Sequence, residues 1–386
     1  MKISIAGPVS VEQLKPFLYE STSKFPKDSG HPLVAQLINE YQRRDIPLSV
    51  YTLSKDVSKP TVLHGPKLKL FYGISRPKHR MRNFMRDERN YIRDFIINDQ
   101  PDIVHCYWTY EYALGALAAT KNTIITLQDW APIIFYLQKD LFRFGRLLMH
   151  FATIAKGSHF TVNSEYLKQF LQKYIKNDVP VIPNAIDNSL FTINNNIKKN
   201  NSIIAVNDGF GKRKNVRNLL RAFKLITNVL PTYKLNLVGT DYQKNGPADE
   251  WAIKNGLAKN VYFLGPQSHS RVIELMNQSK LFIHPSLEES FGMVLIEAMS
   301  QKTPVIGGNK SGAVPWVLDY GNVGILTDVS SAECIANEAI EILKNDDKWK
   351  HFSQKGYEHA KTNFSISKIA DLFLKQYDAI QSKNNK

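Results

Sequence analysis

The chain has 386 residues, of which 50 are lysine or arginine and 35 are aspartate or glutamate, so its formal net charge is +15. Hydrophobic residues make up 43% of the chain and aromatic residues 11%, a composition that excludes a disordered protein and predicts packed cores. The length exceeds what one hydrophobic core usually serves, which predicts two domains. The charge favours anionic partners: phosphorylated small molecules, nucleic acid or an anionic membrane surface.

Two cysteines, Cys106 and Cys334, lie far apart in the sequence, which excludes a disulfide framework and a zinc site. Such sparse cysteine use favours a reducing, cytoplasmic setting. The apolar run at 3–6 is followed by polar residues, so we expect a first strand there rather than a signal peptide. No apolar run reaches the roughly 18 residues that a membrane span needs.

Short β-like runs alternate with helical patterns in the first half of the chain. Predicted helices lie near 32–44, 113–119 and 164–175, and predicted strands at 3–6, 48–53, 101–107, 123–129, 159–164 and 179–187. This β-α-β rhythm predicts a parallel sheet with helices on both faces.

The polar, asparagine-rich segment 186–202 interrupts the rhythm, which predicts an inter-domain linker or its edge. The alternation then restarts, with predicted strands at 202–208, 234–239, 261–265, 281–286 and 303–308 and predicted helices near 215–228, 247–256, 269–279, from Gly292 onward, 331–344 and 366–382. We therefore predict an α/β chain of two doubly wound domains, with ligands bound at the carboxyl ends of the strands.

The stretch HPSLEESFGMVLIEAM (284–299) places two glutamates beside an apolar helix. A helix beginning near Gly292 would direct its first N–H groups toward the preceding loop and offer an anion site, which a glycine leaves accessible. Glu297 lies about two helical turns beyond Glu289, where it could accept hydrogen bonds from a hydroxyl-bearing ligand. The structural alternative is that Glu289 caps the helix and Glu297 is solvated.

This stretch resembles the "PS…E-x-F-G…E-A-M" motif of the glycosyl transferases group 1 family, the retaining family 4 type with the GT-B fold. KTPVIGGNKSG (302–312) resembles the continuation of that motif. Upstream, VIPNAID (181–187) and KNVRNLLRAFKLI (214–226) resemble the segment that leads into the family's second domain and the helix that follows it. The matches run in family order across 180–327, whereas the N-terminal half matches only in its rhythm.

The resemblance implies an α/β, GT-B fold in which two Rossmann-like doubly wound domains face a central cleft. Residues 1–190 would form the acceptor-binding domain, 191–365 the nucleotide-sugar-binding domain, and 366–386 a C-terminal helix that crosses back to the first domain. The implied activity is a retaining transfer from a UDP- or GDP-linked sugar to a hydroxyl of a sugar or lipid-linked acceptor, in polysaccharide or glycolipid assembly. The nucleotide sugar is a substrate, and no cofactor is expected.

The resemblance also assigns roles to residues of the second domain. Glu297 would bind the ribose, Glu289 would contact the transferred sugar, and Lys214 would neutralise the leaving diphosphate. The start of the helix would hold the diphosphate through the backbone of Phe291, Gly292, Met293 and Val294. Fixed cations and helix N–H groups stabilise the charge that develops on the phosphate oxygens. Because no Asp-x-Asp pair occurs, a metal-chelated diphosphate and a metal site are not expected.

The first departure from the family pattern lies in the glycine-rich loop 209–215. The family often carries an arginine six residues before Lys214, whereas this chain has Asp208. Lys212 or Arg213 would then supply the second cation for the phosphates. A solvated basic loop is the alternative interpretation.

The second departure lies at the end of the predicted strand 123–129, where the family often has a histidine that faces the transferred sugar. This chain has Gln128 and Asp129. Gln128 is a candidate donor ligand, since an amide can hydrogen-bond a sugar hydroxyl but cannot take a proton near neutral pH. Asp129 is a candidate catalytic carboxylate or, alternatively, a loop or helix cap. Gly7 follows the first strand, and in the family such a glycine allows close approach of the donor, although it is also an ordinary turn residue.

Other function classes fit less well. A nicotinamide-dependent enzyme would carry G-x-G-x-x-G after its first strand, and AGPVSVEQ (6–13) lacks it. A GT-B epimerase or hydrolase acting on nucleotide sugars, and a non-catalytic binding protein on a decayed GT-B fold, remain as alternatives. A histidine at the end of a strand, His105, is expected to be a hydrogen-bonded structural residue rather than a catalytic one.

The densest basic segment is RPKHRMRNFMRDERNYIR (76–93), in which seven cations are interleaved with aromatic and apolar residues. One interpretation is a solvated helix whose arginine stems pack on its own apolar residues. The other is a docking surface for an anionic membrane or a lipid-phosphate acceptor, which would make the protein peripheral on the inner face of the membrane. Nucleic acid is not expected as a partner, because no nucleic-acid motif accompanies the charge.

Overall fold

The computed structural model describes residues 1–9, 11–19, 30, 32–192 and 198–384. Positions 193–197 of the predicted linker and 385–386 of the predicted last segment lie outside the described residues. The chain divides into two compact units. The first unit comprises Met1–Ala185 and Ile366–Lys386, and the second unit comprises Ile186–Ser365.

The first unit is built on one sheet, whose strands are β1 (Ile3–Ala6), β2 (Leu48–Ser54), β3 (Thr61–His64), β4 (Leu68–Ile74), β5 (Ile103–Tyr107), β6 (Thr123–Leu127) and β7 (His159–Val162). Their order across the sheet is β3-β4-β2-β1-β5-β6-β7. The pairings are parallel except for that of β3 with β4. Strands β1, β5 and β6 are buried at every position, as expected for central strands covered on both faces.

The helices of this part of the chain are α1 (Pro32–Arg43), α2 (Arg86–Asp99), α3 (Glu111–Leu117), α4 (Ala131–Gln138), α5 (Leu141–Lys156) and α6 (Glu165–Leu171). The strand order reverses between β1 and β5. The loops that follow these two strands therefore leave the sheet in opposite directions and open a crevice between them.

The second unit has an all-parallel sheet of β8 (Asn200–Val206), β9 (Lys234–Val238), β10 (Val261–Gly265), β11 (Ser279–His284), β12 (Val305–Gly308) and β13 (Ile325–Thr327), in the order β10-β9-β8-β11-β12-β13. Its helices are α7 (Val216–Val229), α8 (Pro247–Lys254), α9 (His269–Gln278), α10 (Met293–Ser300), α11 (Val314–Val317), α12 (Ala332–Lys344) and α13 (Asp346–Phe364). Here the strand order reverses between β8 and β11, which places the loops after these strands side by side.

The last helix, α14 (Ile366–Asn384), belongs to the first unit. It packs on α1, where the hydroxyl of Tyr41 donates to that of Tyr377 at 3.3 Å. Ile366, Ile369 and Phe373 are buried in the same core. The apolar face of the helix is thus covered by the unit that begins the chain.

The prediction of an α/β chain with two parallel-sheet domains is confirmed, but several elements differ. The predicted strand at 179–187 forms only two isolated bridges, Val181 with Val162 and Ile186 with Ser365, because Pro180 and Pro183 remove donors that a ladder needs. Strands β3 and β4 and helices α4, α5, α11 and α13 were not predicted, and α2 overlaps the segment 76–93 for which a helix was one of the two interpretations. Helix α13 is buried at only four of its 19 positions, so its sequence carries a weak apolar period.

Candidate functional site

Two loops of the second unit are held together at the point where the strand order reverses. The loop after β8 contains a 3-10 turn at Lys212–Lys214, and the loop after β11 leads to α10. The N–H of Leu287 donates to the carbonyl of Arg213 at 2.8 Å, and Nδ2 of Asn215 donates to the carbonyl of Pro285 at 3.1 Å. These bonds fix the basic turn beside the glutamate-bearing loop.

Lys214 and Glu289 form the centre of this arrangement. Nζ of Lys214 lies 2.5 Å from Oε1 of Glu289, and both side chains are mostly buried. Nε2 of His284 lies 3.4 Å from the same carboxylate oxygen. The family resemblance assigns Lys214 to the leaving diphosphate and Glu289 to the transferred sugar, and the structure shows these two side chains in direct contact.

The surroundings of Glu289 keep it ionised. Burial acts to raise its pKa, but His284 and Lys214 outweigh burial and hold the pKa well below its usual range. A carboxylate that stays ionised and fixed can accept hydrogen bonds from sugar hydroxyls, and it also orients the Lys214 ammonium. Because it does not protonate near neutral pH, Glu289 is not suited to donate a proton.

The structure separates the two candidates for the second phosphate cation. Arg213 reaches the site: its Nη1 lies 3.8 Å from Oε1 of Glu289 and donates to the carbonyl of Glu288 at 3.2 Å. Lys212 is exposed on the same turn. Asp208 is also exposed, and its carboxylate accepts from the N–H of Thr240 at 3.4 Å. Arg213 is thus the better placed of the two candidates.

The start of α10 is anchored by an aromatic side chain. Phe291 is buried, and its ring lies 5.7 Å from that of Phe364 and 6.3 Å from that of Trp316. Gly292 follows with φ of +93°, a conformation that favours glycine, and the helix begins at Met293, with Val294 in its first turn. The buried ring fixes the loop, and the first turn of the helix leaves N–H groups without intrahelical partners.

Glu297 lies on the same helix in a different environment. Its Oε1 is 3.0 Å from Nε2 of His269, the first residue of α9, whose side chain is half exposed. The hydrogen bond to Glu297 raises the pKa of His269 against the opposing effect of burial. Glu297 is buried, so it is not the solvated residue of the structural alternative.

Two buried polar residues of the site were missed by the sequence interpretation. Nδ1 of His284 has no hydrogen-bond partner and its Nε2 has only the 3.4 Å contact with Glu289, while Nδ2 of Asn207 has no partner, although its Oδ1 accepts from Ser286 at 3.3 Å. Both residues stand at the carboxyl ends of the two strands where the order reverses, which is the signal that could have found them. Among the described residues, no three histidine, cysteine or acidic side chains lie close enough to hold a metal ion.

Gln128 and Asp129 lie in the first unit, at the end of β6. Oε1 of Gln128 accepts from Nδ2 of Asn163 at 2.9 Å, and its Nε2 is buried without a hydrogen-bond partner. Asp129 accepts from the hydroxyl of Tyr110 at 2.7 Å, and burial raises its pKa despite this bond and the nearby Arg146. Asp129 is therefore hydrogen-bonded to Tyr110, and it is not the N-cap of α4, which is Trp130.

A cavity of about 520 Å³ opens in the first unit, between the loops after β1 and β5. Its walls carry three cations, one carboxylate and three large aromatic side chains: Lys55, Arg80, Arg146, Glu111, Trp108, Tyr110 and Tyr112. Nε of Arg146 and Oε2 of Glu111 are buried and have no hydrogen-bond partner. The sequence interpretation did not identify this group, because its members come from separate loops.

Two other residues of this unit were considered from the sequence. Gly7 lies beside the cavity, and a Cβ there would meet only ordinary contacts with Tyr107 and Val34, so packing does not demand a glycine. His105 is buried and hydrogen-bonded on both ring nitrogens, to the hydroxyls of Tyr377 and Thr126, each at 2.7 Å. Burial lowers its pKa to about 3, in keeping with the structural role that we expected.

Much of the basic segment 76–93 is engaged within the first unit. Arg76 forms ion pairs with Asp87 and Glu88, each at 2.8 Å, and burial lowers the pKa of Arg89. The ring of Tyr91 packs on that of Phe95. The cations of this segment that remain exposed lie toward its start and at the beginning of α2: Lys78, Arg82 and Arg86. In the described part of the chain, no helix is long and apolar enough to cross a bilayer.

Comparison with known proteins finds two glycosyltransferase family models that match neighbouring parts of the chain. Residues 33–190 match the family model for Glycosyltransferase Family 4, and residues 189–359 match the model for Glycosyl transferases group 1. The chain is 27% identical over 313 residues to N-acetyl-alpha-D-glucosaminyl L-malate synthase of Bacillus anthracis, covering 74% of this chain and 76% of that protein.

Solved structures of GT-B proteins match nearly the whole chain. Sucrose-phosphate synthase from Thermosynechococcus elongatus superposes with a TM-score of 0.78 at 18% identity, covering 99% of this chain and 100% of that one. The Anabaena protein HepE in complex with UDP and glucose superposes with a TM-score of 0.70 at 16% identity, covering 98% and 100%. At these identities the likeness establishes the fold.

Proposed function

The chain belongs to the group 1, family 4 type of glycosyltransferases with the GT-B fold, and we propose that it transfers a sugar from a UDP-sugar to a hydroxyl of an acidic acceptor, with retention of anomeric configuration and without a metal ion. The second unit would hold the donor and the first unit the acceptor. The observation that carries the proposal is the contact of Lys214 with Glu289 beside the first turn of α10.

The donor assignment rests on charge and on a structural neighbour. Lys214 and Arg213 converge on the loop three residues before Gly292, where helix N–H groups add further positive potential. This arrangement suits a diphosphate. Glu297 lies five residues beyond Gly292, which is about one and a half helical turns. It would accept hydrogen bonds from the ribose hydroxyls. HepE was solved with UDP and with glucose, which favours UDP over GDP as the carrier here.

The proposed reaction proceeds on one face of the sugar. The bond between the anomeric carbon and the diphosphate oxygen breaks, and the electron pair stays on that oxygen. Lys214, Arg213 and the N–H groups of α10 stabilise the charge as it forms. The acceptor hydroxyl attacks from the same face and gives its proton to the leaving phosphate, so no protein nucleophile is required. Glu289, which stays ionised, would hold the hydroxyls of the sugar during the transfer.

The acceptor assignment rests on the cavity of the first unit. Its aromatic walls can pack against the apolar faces of a sugar or polyol, and Glu111 can accept from a hydroxyl. Three cations against one carboxylate leave an excess positive charge that favours a phosphate or carboxylate on the acceptor. A relative named for its malate product is consistent with an acidic acceptor. Gln128, with a buried N–H group that lacks a partner, would contact the transferred sugar or the acceptor.

The proposed setting is the cytoplasm. Both cysteines are unpaired, which is typical of a reducing compartment. We also propose that the reaction serves polysaccharide or glycolipid assembly, since both processes consume nucleotide sugars.

The test begins with the donor. UDP and UDP-sugars should raise the melting temperature by mass action, and GDP and ADP should do so less. With an acidic acceptor present, UDP release should accelerate, resist EDTA, and yield a product whose anomeric configuration by NMR matches that of the donor. Inverted configuration would contradict the proposed mechanism, and rapid UDP release that no acceptor accelerates would favour a hydrolase.

A further inference from the structure

Helices α4 and α5 expose an unusual amount of apolar surface. Of the eight residues of α4, only Ala131 is buried. Tyr136 is 72% exposed and Leu141 is 86% exposed, and three further large side chains between them and the middle of α5 are over 40% exposed: Leu137, Phe144 and Leu148. We call these five residues the hairpin surface. Clustered apolar residues on a surface mark a place of interaction, whereas scattered ones do not.

The two helices that carry the hairpin surface are in contact with each other and with the core of the unit. Leu141, Phe144 and Leu148 are spaced three and four residues apart, so they share one face of α5. The ring of Phe144 lies 5.8 Å from that of Phe135, which joins α4 to α5 beneath the exposed residues. The opposite face of α5 is buried in the unit, at Gly145, Met149, His150, Thr153 and Ile154. The helix is therefore anchored on one side and apolar toward solvent on the other.

Cations border this apolar patch. Lys139 lies in the turn between the helices, exposed, with its ammonium 5.3 Å from the ring of Tyr136. The 3-10 turn Arg80–Asn83 packs on α5 through Met81, which occupies the space beside Gly145, and this places the exposed Arg82 next to the hairpin. Segments 76–86 and 136–148 together contain eight lysines and arginines and one carboxylate, Asp140.

An apolar tip with a basic border fits one partner better than others. Leucine, phenylalanine and tyrosine at the tip can enter the boundary between head groups and acyl chains, while lysine and arginine contact anionic head groups. A nucleic acid would use the cations but leave the aliphatic side chains in water. We propose that the hairpin surface, with Lys139 and Arg82 at its border, docks the protein onto an anionic phospholipid bilayer.

This inference moves the membrane contact expected at 76–93 onto a different element. The aromatic residues of α2 pack inward, and Arg76 and Arg93 of the basic segment pair with carboxylates, whereas α4 and α5 supply more exposed apolar side chains than the basic segment, where Phe84 is the large one exposed. It does not depend on the donor chemistry, since none of the five residues belongs to the proposed donor or acceptor site.

The test is flotation of the full chain with vesicles of phosphatidylcholine alone or mixed with phosphatidylglycerol. Wild type should float with the mixed vesicles and not with phosphatidylcholine alone. Part of the binding should survive a rise in salt from roughly 0.1 M to 1 M, because salt screens charges but not apolar insertion. A wild-type protein that ignores mixed vesicles at low salt would overturn the proposal.

The decisive variant is Leu141→Glu with Phe144→Glu, which should reduce partitioning by roughly tenfold or more. Leu141 is the first residue of α5, where a carboxylate favours the helix dipole, so this substitution should not unfold the helix. The matched control is Ile253→Glu, which adds a charge at a residue 61% exposed in the second unit and should float like wild type. UDP binding should be unchanged in every variant, which separates this result from the proposed activity.

Two outcomes would overturn the assignment to a bilayer. The double variant could float as well as wild type, in which case the hairpin surface does not make the contact. Alternatively, sedimentation velocity without vesicles could show a wild-type dimer that the double variant converts to a monomer. The surface would then be an interface between two copies of the chain.

Discussion

In the proposed donor site of the second unit the glutamates are paired within the protein, whereas in the cavity of the first unit buried charged groups have atoms without a partner. In the donor site each glutamate already has a partner: Glu289 contacts Lys214, and Glu297 contacts His269. In the cavity, buried atoms of Arg146 and Glu111 have no partner within the protein. Buried polar atoms are nearly always hydrogen-bonded, so these charged groups of the cavity favour an external partner, as do the buried Asn207 and His284 in the second unit. The charged groups of the proposed donor site differ in that they must exchange internal contacts for those of the ligand.

The contrast has a mechanistic meaning. A cation held by a buried carboxylate is oriented before the substrate arrives, and little reorganisation remains for the moment of reaction. A cavity in which the buried Nε of Arg146 has no hydrogen-bond partner gains more from binding an anion, which favours affinity and selectivity for the acceptor. We therefore expect substitutions in the donor site to reduce turnover and substitutions in the cavity to weaken acceptor binding.

The largest effect is expected for Lys214→Ala. Removing this preorganised cation should lower turnover by about 10²–10³, measured as UDP release with a saturating acceptor. Lys212→Ala on the same turn is the matched control, because Lys212 is exposed, and it should stay close to wild type. Thermal melts of both variants show whether the fold is intact. If Lys212→Ala is inactive while Lys214→Ala is active, our placement of the diphosphate is wrong.

A smaller effect is expected for Arg146→Met. This change keeps much of the side-chain volume over Tyr110 but removes the charge, and it should raise KM for an acidic acceptor roughly ten- to hundredfold, the scale of one hydrogen bond to a charged group. L-malate and glucose 6-phosphate can serve as dicarboxylate and phosphate probes. UDP affinity should not change.

Arg143→Met is the control for this prediction, because Arg143 lies on the same helix and pairs with Asp140 rather than lining the cavity. Equal loss of acceptor affinity in the two variants would indicate a general effect of charge on α5. It would contradict the proposal that the cavity binds the acceptor.

The proposed donor site and the cavity also differ in how much of each could be predicted from the sequence. The residues of the proposed donor site could be selected from the sequence because they come from two contiguous segments, 208–215 and 284–299, each beside the end of a strand. What the sequence did not show is the contact between these segments, and hence the role of His284 and the choice of Arg213 over Lys212. Those depend on which strands are neighbours in the sheet.

The cavity could not be predicted, because Lys55, Arg80, Glu111 and Arg146 come from four separate places in the chain and no local pattern joins them. The sheet of the first unit was partly predicted from its apolar strands, whereas β3 and β4 were not, because Gly65, Pro66 and two lysines interrupt the apolar residues of 61–74. The hairpin surface was also missed. Apolar residues usually indicate a core, and only the structure shows that those of α4 face outward.

The smallest effect concerns pH. Folding raises the pKa of His269 through Glu297, so this pair stabilises the folded protein fully below the pKa of an unfolded histidine, about 6.5, and the increment is lost as pH rises through the raised pKa. The melting temperature of wild type should exceed that of His269→Gln most at acidic pH, and the difference should shrink as pH rises. A difference that does not vary with pH would show that the pair is not formed in solution.

Calorimetric titration of UDP into three proteins tests the central claim, that Glu297 holds the nucleotide and Glu289 acts on the sugar. Glu297→Ala should bind free UDP at least roughly tenfold more weakly than wild type, since it loses hydrogen bonds to the ribose. Glu289→Gln should bind UDP at least as well as wild type, because it releases Lys214 to the diphosphate, yet it should turn over poorly. Equal loss of UDP affinity in both variants, or no loss in Glu297→Ala, would contradict the account.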